Sequence, residues 1–332
     1  MERLKASKED GKITAKIAYI LQNFYESYRE ALSSQGKRIM EYSSLFVQYL
    51  TCIERQLEQP FLFPPYHRGV RTPFDYFRFG QQFIHPLIIF KESKVVGLGY
   101  VDKIVEQIAR GDNVVLFGNH QTEPDPQIIS LLLDRTHPKL TEEMIFVAGN
   151  RVTADPLAVP LSMGCNLLCI YSKKYVEFPP EQKEEKLLHN QRVMRKMKEL
   201  FTEGGKCIYV APSGGRDRLG EDGTLIIAPF DPQSIELFRL IAKQSRRPTH
   251  FYPLTLATHH LLPPPNTIEK ELGERRLAQC APVHLIFDKE IEMESIPGME
   301  EIEKKAQRKV RAKYIWNIVQ QNFPPPYIDR KN

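Results

Sequence analysis

The sequence predicts an α/β protein with a small N-terminal helical domain, residues 1–75, and a larger α/β domain, residues 76–332. Three observations predict this layout. Two amphipathic helical stripes come first, a proline-rich stretch follows them, and short apolar runs then alternate with helical patterns. Such alternation is typical of a sheet with helices on both faces, and we expect a mixed sheet.

The first 58 residues predict a helical hairpin. Apolar residues from Ile13 to Leu32 recur at helical spacing, and a second stripe runs from Ile39 to Leu57. Ser34, Gln35 and Gly36 supply the turn between them. The stretch 59–73 contains four prolines and Gly69 and cannot continue a helix, so we place the domain boundary there.

The remaining chain predicts six strands with helices between several of them. The predicted strands are Asn113 to Phe117, Met144 to Ala148, Leu167 to Tyr171, Cys207 to Ala211, Phe251 to Ala257 and Val283 to Phe287. The predicted helices are Val101 to Ala109, Gln127 to Asp134, Leu187 to Phe201, Ile235 to Gln244 and Met299 to Gln321. In the last of these we expect Ile302, Ala306, Val310, Tyr314 and Ile318 to share the apolar face.

Composition excludes several classes of protein. No run approaches the roughly 18 apolar residues of a membrane span, and the N-terminus lacks the apolar stretch of a secretory signal. Glu2, Glu9 and Asp10 argue against an acid-poor transit peptide, so we expect a cytoplasmic protein, in a bacterial cytosol, or a processed organelle protein. The five scattered cysteines predict buried thiols in a reducing compartment.

The formal charge of +5 is mildly basic. It favours acidic partners, phosphorylated substrates or peripheral contact with an anionic membrane surface. We expect no nucleic acid partner, because that would require denser basic patches.

The run from Val114 to Pro126 predicts a strand, a loop and a helix, with His120 and Asp125 in the loop. Ligands of open α/β sheets bind at this end of the strands. A carboxylate on one ring nitrogen fixes the imidazole tautomer and stabilises the imidazolium, so the pair predicts a general base and its orienter. In the alternative interpretation, Asp125 only caps a helix beginning at Pro126, and His120 is an incidental loop residue.

A glycine-arginine loop, Ala211 to Arg218, follows another predicted strand. Its glycine amides can face an anion, and Arg216 and Arg218 suit a phosphate clamp. Alternatively the loop is merely a solvated surface turn in which Asp217 neutralises a neighbouring arginine. Lys173 and Lys174 follow a third strand, and since strand ends converge on one edge of a sheet, the three features are expected to meet.

The sequence resembles the soluble, plastid-type glycerol-3-phosphate acyltransferases of the glycerolipid acyltransferase superfamily, from about Phe63 to beyond Glu274. The segments that carry the resemblance are Pro73-Phe74-Asp75-Tyr76, Asn119 to Pro126, Val147-Ala148-Gly149-Asn150-Arg151-Val152, Asn166 to Lys174, Ala211 to Arg218, Ala228-Pro229-Phe230-Asp231 and Pro263-Pro264-Pro265.

The resemblance implies an acyltransferase that moves a fatty acyl group from an acyl thioester to the sn-1 hydroxyl of glycerol 3-phosphate. It implies the small helical domain and an α/β catalytic domain, with His120 as base and Asp125 as orienter. Lys174, Arg216 and Arg218 fall where these enzymes contact the phosphate, and Arg151 matches a position linked to substrate binding. A processed organelle protein of this kind would lie in the plastid stroma.

Two departures from the family pattern bear on the acceptor site. Tyr175, a candidate substrate-binding residue, stands where plastid enzymes typically have a histidine, and Cys165 replaces a basic residue. We therefore expect a less positive phosphate site.

The implied mechanism uses general-base catalysis with no metal and no cofactor. The donor is acyl-acyl-carrier protein or acyl-coenzyme A, either of which a basic surface that includes the last helix would dock.

Two rival functions remain at this point. Ala211-Pro212-Ser213-Gly214-Gly215 is one residue short of the elbow of a serine hydrolase with Ser213 as nucleophile. The second rival is a non-catalytic phospholipid-binding module whose basic C-terminal helix meets a membrane.

Overall fold

Four helices form the N-terminal layer: α1 (Glu2–Glu9), α2 (Ala15–Ser34), α3 (Ser43–Glu58) and α4 (Tyr76–Ile84). The structure is a computed structural model that describes residues 1–265, 273–300 and 302–324, without the side chains of Lys173 and Lys174. Helix α2 begins after Thr14, whose hydroxyl accepts a hydrogen bond from the Ile17 amide at 3.2 Å. It ends before Gly36, whose φ of 67° suits glycine.

An aromatic core joins these helices to one another and to the rest of the chain. Phe24, Tyr28, Tyr49 and Phe83 are buried and in ring contact. The Tyr28 hydroxyl donates to the Phe83 carbonyl at 2.7 Å, and the Tyr49 hydroxyl donates to the Leu157 carbonyl at 2.5 Å. Because α4 belongs to this core, the packing crosses the predicted boundary at residue 75, and the division there stays a prediction.

The main sheet and a small hairpin contain ten strands in the described ranges. They are β1 (Tyr66–His67), β2 (Lys94–Val96), β3 (Asn113–Gly118), β4 (Ile145–Gly149), β5 (Asn166–Ile170), β6 (Cys207–Val210), β7 (Arg218–Leu219), β8 (Leu225–Ile226), β9 (Thr249–Ala257) and β10 (His284–Phe287). The main sheet has the order β1-β5-β4-β6-β3-β9-β10-β2, and β7 pairs with β8.

The main sheet is mixed, as predicted. Strands β3, β4, β5, β6 and β9 are parallel, whereas β1 and β10 run antiparallel to their neighbours β5 and β9. The six predicted strands are confirmed as β3, β4, β5, β6, β9 and β10. The prediction missed β1 and β2, which have only two and three residues.

In the part of the chain that is described, nine further α-helices surround the sheet: α5 (Leu98–Ala109), α6 (Asp125–Leu133), α7 (Pro138–Glu143), α8 (Asn150–Ala154), α9 (Val159–Ser162), α10 (Lys173–Val176), α11 (Lys183–Glu203), α12 (Pro232–Gln244) and α13 (Lys304–Asn322). Alternate side chains of β3 point to opposite faces. Val115 and Phe117 pack with α11, α12 and α13, while Val114 and Leu116 pack with α5 and α6. The predicted α/β fold with helices on both faces is therefore confirmed.

The last helix differs from its prediction. It begins at Lys304 rather than Met299, and Ala312, Ile315 and Val319 form its buried face. Arg311, in the same helix, is 3% exposed and donates to the Met293 carbonyl at 2.8 Å. In the part of the chain that the structure describes, no helix has the length and apolarity to cross a membrane.

Candidate active site

The carboxyl ends of five parallel strands bring the candidate residues to one edge of the sheet. His120 follows β3, Arg151 follows β4, the Lys173–Val176 helix follows β5, the glycine-arginine loop follows β6, and Thr258 follows β9. Gly118 ends β3 with no room for a side chain, because a Cβ there would lie 2.7 Å from the Tyr209 ring. The Tyr209 hydroxyl donates to the Asn119 carbonyl at 2.5 Å, which fixes the start of residues 119–124, the candidate catalytic loop.

His120 and Asp125 form a direct pair. His120 Nδ1 lies 2.7 Å from Asp125 Oδ2, and the imidazole is 27% exposed while the carboxylate is 1% exposed. Among the described residues His120 Nε2 has no hydrogen-bond partner. A carboxylate on Nδ1 favours the tautomer with the proton there, so the lone pair of Nε2 faces outward and can accept a proton.

Asp125 is held by three further donors. The amides of Gln121 and Thr122 donate to its Oδ2 at 2.9 and 3.3 Å, and the Thr258 hydroxyl donates to its Oδ1 at 2.6 Å. The interpretation of Asp125 as merely a helix cap is wrong, because α6 begins at Asp125 itself and the amides bound by its carboxylate precede the helix. Thr258 was not predicted, since it lies 133 residues from Asp125.

Asp217 belongs to a second buried network. Its Oδ2 accepts from Asn119 Nδ2 at 2.8 Å and Gln121 Nε2 at 3.1 Å, and its Oδ1 accepts from the Ala228 amide at 2.9 Å. Burial raises its pKa to about 6, although these hydrogen bonds oppose the shift. The alternative in which Asp217 neutralises Arg216 or Arg218 is therefore wrong. Asp217 instead joins the glycine-arginine loop to the catalytic loop.

Ser213 lacks the setting of a hydrolase nucleophile. Its hydroxyl donates to the Gly215 carbonyl at 2.9 Å, and the residues after it form a turn and then β7, not a helix. A nucleophile elbow needs a strand-to-helix turn and an adjacent base. The serine hydrolase interpretation therefore has no structural support.

Arg216 makes an ion pair that the sequence did not predict. Its Nη2 donates to both Glu274 oxygens, at 2.7 and 2.6 Å, and the two side chains are 17% and 7% exposed. Arg218 Nη1 donates to the Pro265 carbonyl. Burial lowers the pKa of Arg218, and the neighbouring positive charges of Arg216 and Arg151 lower it further.

The remaining predicted substrate residues lie around these arginines. Arg151 in α8 and Tyr175 in α10 both lie near enough to Arg218 to affect its pKa. Each of the two also interacts with other residues. The side chain of Lys174 lies outside the described residues. The structure thus brings Arg151, Tyr175, Arg216 and Arg218 to one place.

Cys165 lies away from this place. It precedes β5, at the amino end of the strand, whereas α10 follows the carboxyl end. Five residues of strand separate the two ends by about 17 Å. Cys165 is buried, accepts from Gln127 Nε2 at 3.5 Å and has a pKa raised to about 12 by burial. The lack of a positive charge there therefore does not act directly on the arginine cluster.

A buried network of ion pairs holds the catalytic loop in place. Arg276 is 4% exposed, and its Nη2 donates to Glu123 at 2.8 Å and to Asp155 at 3.4 Å. Burial alone would lower the pKa of Arg276, but the two carboxylates raise it. Its Nη1 donates to the Glu274 carbonyl at 2.8 Å. Glu123 lies between His120 and Asp125, so the network links the catalytic loop to the segment that carries Glu274.

Within residues 1–265, 273–300 and 302–324, no group of three or more His, Cys, Asp or Glu side chains is placed to hold a metal ion. What the site offers is a proton acceptor beside a cluster of guanidinium groups. Such an arrangement can activate a hydroxyl on an anionic substrate.

Comparison with known proteins finds similarity to acyltransferases. A family model described as Acyltransferase matches residues 101–257, which contain His120, Asp125 and both loop arginines. A chloroplastic glycerol-3-phosphate acyltransferase of Cucurbita moschata is 42% identical over 297 residues, which are 88% of this chain and 64% of that protein. The corresponding protein of Spinacia oleracea is 36% identical over 88% of this chain and 62% of its own length.

The Arabidopsis thaliana chloroplastic glycerol-3-phosphate acyltransferase is 40% identical over 82% of this chain and 60% of its own length. The chain thus spans less than two thirds of the length of the curated relatives it matches. Residues 101–257 thus match the acyltransferase family, and most of the chain is similar to the chloroplastic glycerol-3-phosphate acyltransferases.

Proposed function

We propose that the protein is a glycerol-3-phosphate 1-O-acyltransferase. It transfers a fatty acyl group from an acyl thioester to the sn-1 hydroxyl of glycerol 3-phosphate and gives lysophosphatidic acid, as in the first step of phospholipid synthesis. The observation that carries this proposal is the His120 imidazole, bound through Nδ1 to Asp125 at 2.7 Å, on the sheet edge that also holds Arg216 and Arg218.

His120 acts as the general base. Its Nε2 removes the proton from the sn-1 hydroxyl as the oxygen attacks the thioester carbonyl. The carbon–sulfur bond of the resulting tetrahedral intermediate then breaks, and the leaving thiolate takes the proton back from the imidazolium. General-base assistance of this kind contributes about 10² to 10⁴ in rate.

Asp125 stabilises the imidazolium that forms during the reaction. It is 1% exposed and accepts four hydrogen bonds, so its charge is fixed next to the ring. The hydrogen bond to Nδ1 also selects the reactive tautomer. Orientation and charge stabilisation therefore come from one side chain.

The acceptor phosphate binds to the arginine cluster. Arg216 and Arg218 are the principal ligands, and Arg151, Lys174 and Tyr175 contribute around them. A guanidinium can hold two phosphate oxygens at once, and charge-assisted bonds of this type contribute about 1.5–3 kcal/mol each. Fixing the phosphate directs one hydroxyl towards His120, which accounts for a preference for the sn-1 position.

The donor is acyl-acyl-carrier protein or acyl-coenzyme A. Both are anionic, and the exposed lysines of α13, among them Lys305, Lys309 and Lys313, provide a basic surface that can dock either or make peripheral contact with a membrane. The helical domain of residues 1–75 and the catalytic domain of residues 76–332 are part of this proposal. So is a location in the plastid stroma or a bacterial cytosol.

The experiment that tests the function is a turnover assay with purified protein, acyl-coenzyme A, acyl-acyl-carrier protein and two acceptors. We expect lysophosphatidic acid acylated at sn-1 from glycerol 3-phosphate and little product from glycerol. A protein that binds glycerol 3-phosphate but forms no product from either donor would instead be a non-catalytic binding module.

A further inference from the structure

Hydrogen bonds hold the backbone on both sides of the Glu274 side chain. The Gly273 amide donates to Asp155 Oδ2 at 3.1 Å, and the Glu274 carbonyl accepts from Arg276 at 2.8 Å. The Glu274 residue is 5% exposed, so its backbone is part of the buried network below the site. The carboxylate therefore projects from a rigid support towards the glycine-arginine loop.

Both carboxylate oxygens of Glu274 bind one nitrogen of Arg216. The distances to Nη2 are 2.7 and 2.6 Å, and in the described chain Arg216 Nη1 and Nε make no hydrogen bond. The guanidinium thus keeps one edge for a further oxyanion. The two bonds fix the position of Nη2. Because all donors of a guanidinium lie in one plane, they also restrict the directions in which Nη1 and Nε can point.

The arginines of the acceptor site repel one another. Arg216 and Arg151 each lower the pKa of Arg218, and the Glu274 carboxylate raises it. When no phosphate is bound, this repulsion would push the arginine side chains apart unless another anion lay among them. Glu274 offsets this repulsion and is placed where it acts on both Arg216 and Arg218.

We propose that Glu274 is a positioning residue for acceptor recognition, which holds Arg216 with its free edge directed at the substrate phosphate and keeps the arginine cluster assembled before substrate binds. This inference rests on the proposed function. The opposite role, a carboxylate that occupies the phosphate position and must leave, fits the contacts less well. The backbone is held on both sides of the carboxylate, and only one nitrogen of Arg216 is engaged.

The test is Glu274→Gln, which keeps the shape and removes the charge. Steady-state kinetics would be compared for glycerol 3-phosphate and for glycerol, which has no phosphate. We expect kcat/KM for glycerol 3-phosphate to fall about tenfold to a hundredfold, mainly through KM, while turnover of glycerol changes less than about twofold. Glu274→Asp, which retains the charge, should restore part of the loss.

Two controls make the result specific. Glu236→Gln removes a carboxylate from another arginine pair, Glu236 with Arg239 at 2.8 Å in α12, and should leave the acceptor preference unchanged. In the double variant Arg216→Ala/Glu274→Gln, the second substitution should add little to the loss caused by the first, because Glu274 acts through Arg216.

Several results would overturn the inference. Equal losses with both acceptors would mean a general structural role, and tighter use of glycerol 3-phosphate would mean that Glu274 competes with phosphate. Wild-type kinetics in Glu274→Gln, alongside a loss in Arg216→Ala, would refute the inference and leave the proposed function intact. A wild-type protein inactive on glycerol 3-phosphate would refute both.

Discussion

Replacing Asp125 by asparagine separates the orienting role of this residue from its charge. Three donors, from His120, Gln121 and Thr122, point at Oδ2. The asparagine oxygen must take that position, and the amide nitrogen then faces the Thr258 hydroxyl, which can turn to accept. The imidazole therefore keeps its tautomer and orientation in Asp125→Asn, and only the negative charge is lost.

The expected effect follows from the geometry of the pair. With Nδ1 and Oδ2 2.7 Å apart, the centres of the two charged groups lie about 4 Å apart. At an effective dielectric constant of about 20, their attraction is about 4 kcal/mol, which corresponds to roughly a thousandfold in kcat if all of it is lost in the transition state. The ground state contains a neutral imidazole and loses much less.

The assay is kcat at saturating acceptor and donor, with the melting temperature of the variant as a control for folding. We expect a large loss of kcat, a nearly unchanged KM for glycerol 3-phosphate and a small change in melting temperature. If Asp125→Asn kept more than about a tenth of the wild-type kcat, the charge of Asp125 would not be acting on an imidazolium.

Two further predictions concern other charges. Arg216→Ala should raise KM for glycerol 3-phosphate about tenfold to a hundredfold and leave KM for the acyl thioester unchanged. Arg216→Lys should recover only part of the affinity, because lysine lacks the planar fork of arginine. If Arg216→Ala and Arg218→Ala both kept the wild-type preference for glycerol 3-phosphate over glycerol, the phosphate would bind elsewhere. Burial alone would raise the pKa of Glu290, but hydrogen bonds from Lys103 and His250 lower it to about 2. Because this value is below the ordinary 4.5, Glu290 stabilises the fold above about pH 4.5 and loses that contribution as the pH falls towards 2. Denaturation of Glu290→Gln should vary less with pH over that interval than denaturation of the wild type, and identical pH dependence would contradict this assignment.

The strands were predictable because their signal is local. Apolar runs such as Val114 to Phe117 mark a buried strand by their own composition, and the observed strand differs from the prediction by one residue. The face of α13 was not predictable in the same way. The apolar residues 314–316, 318 and 319 spread over more than half of its circumference. Neighbouring elements therefore decide that Ile315 and Val319 are buried while Ile318 is less so.

The parts of the site that the sequence did not predict depend on long-range contacts. Glu274 lies 58 residues from Arg216, and Arg276 lies 153 residues from Glu123. No spacing rule links charges so far apart in the chain, and each of them alone is typical of a solvated surface. His120 and Asp125 were predictable because a single loop holds both.

The catalytic claim rests on His120. The most direct measurement compares turnover and glycerol 3-phosphate binding in wild type and His120→Ala, with binding followed by calorimetry. Because His120 supplies the base and the arginine cluster supplies the phosphate contacts, we expect His120→Ala to lose turnover by about 10² to 10⁴ and to bind glycerol 3-phosphate with nearly the wild-type affinity. Near-normal turnover in His120→Ala would contradict the account.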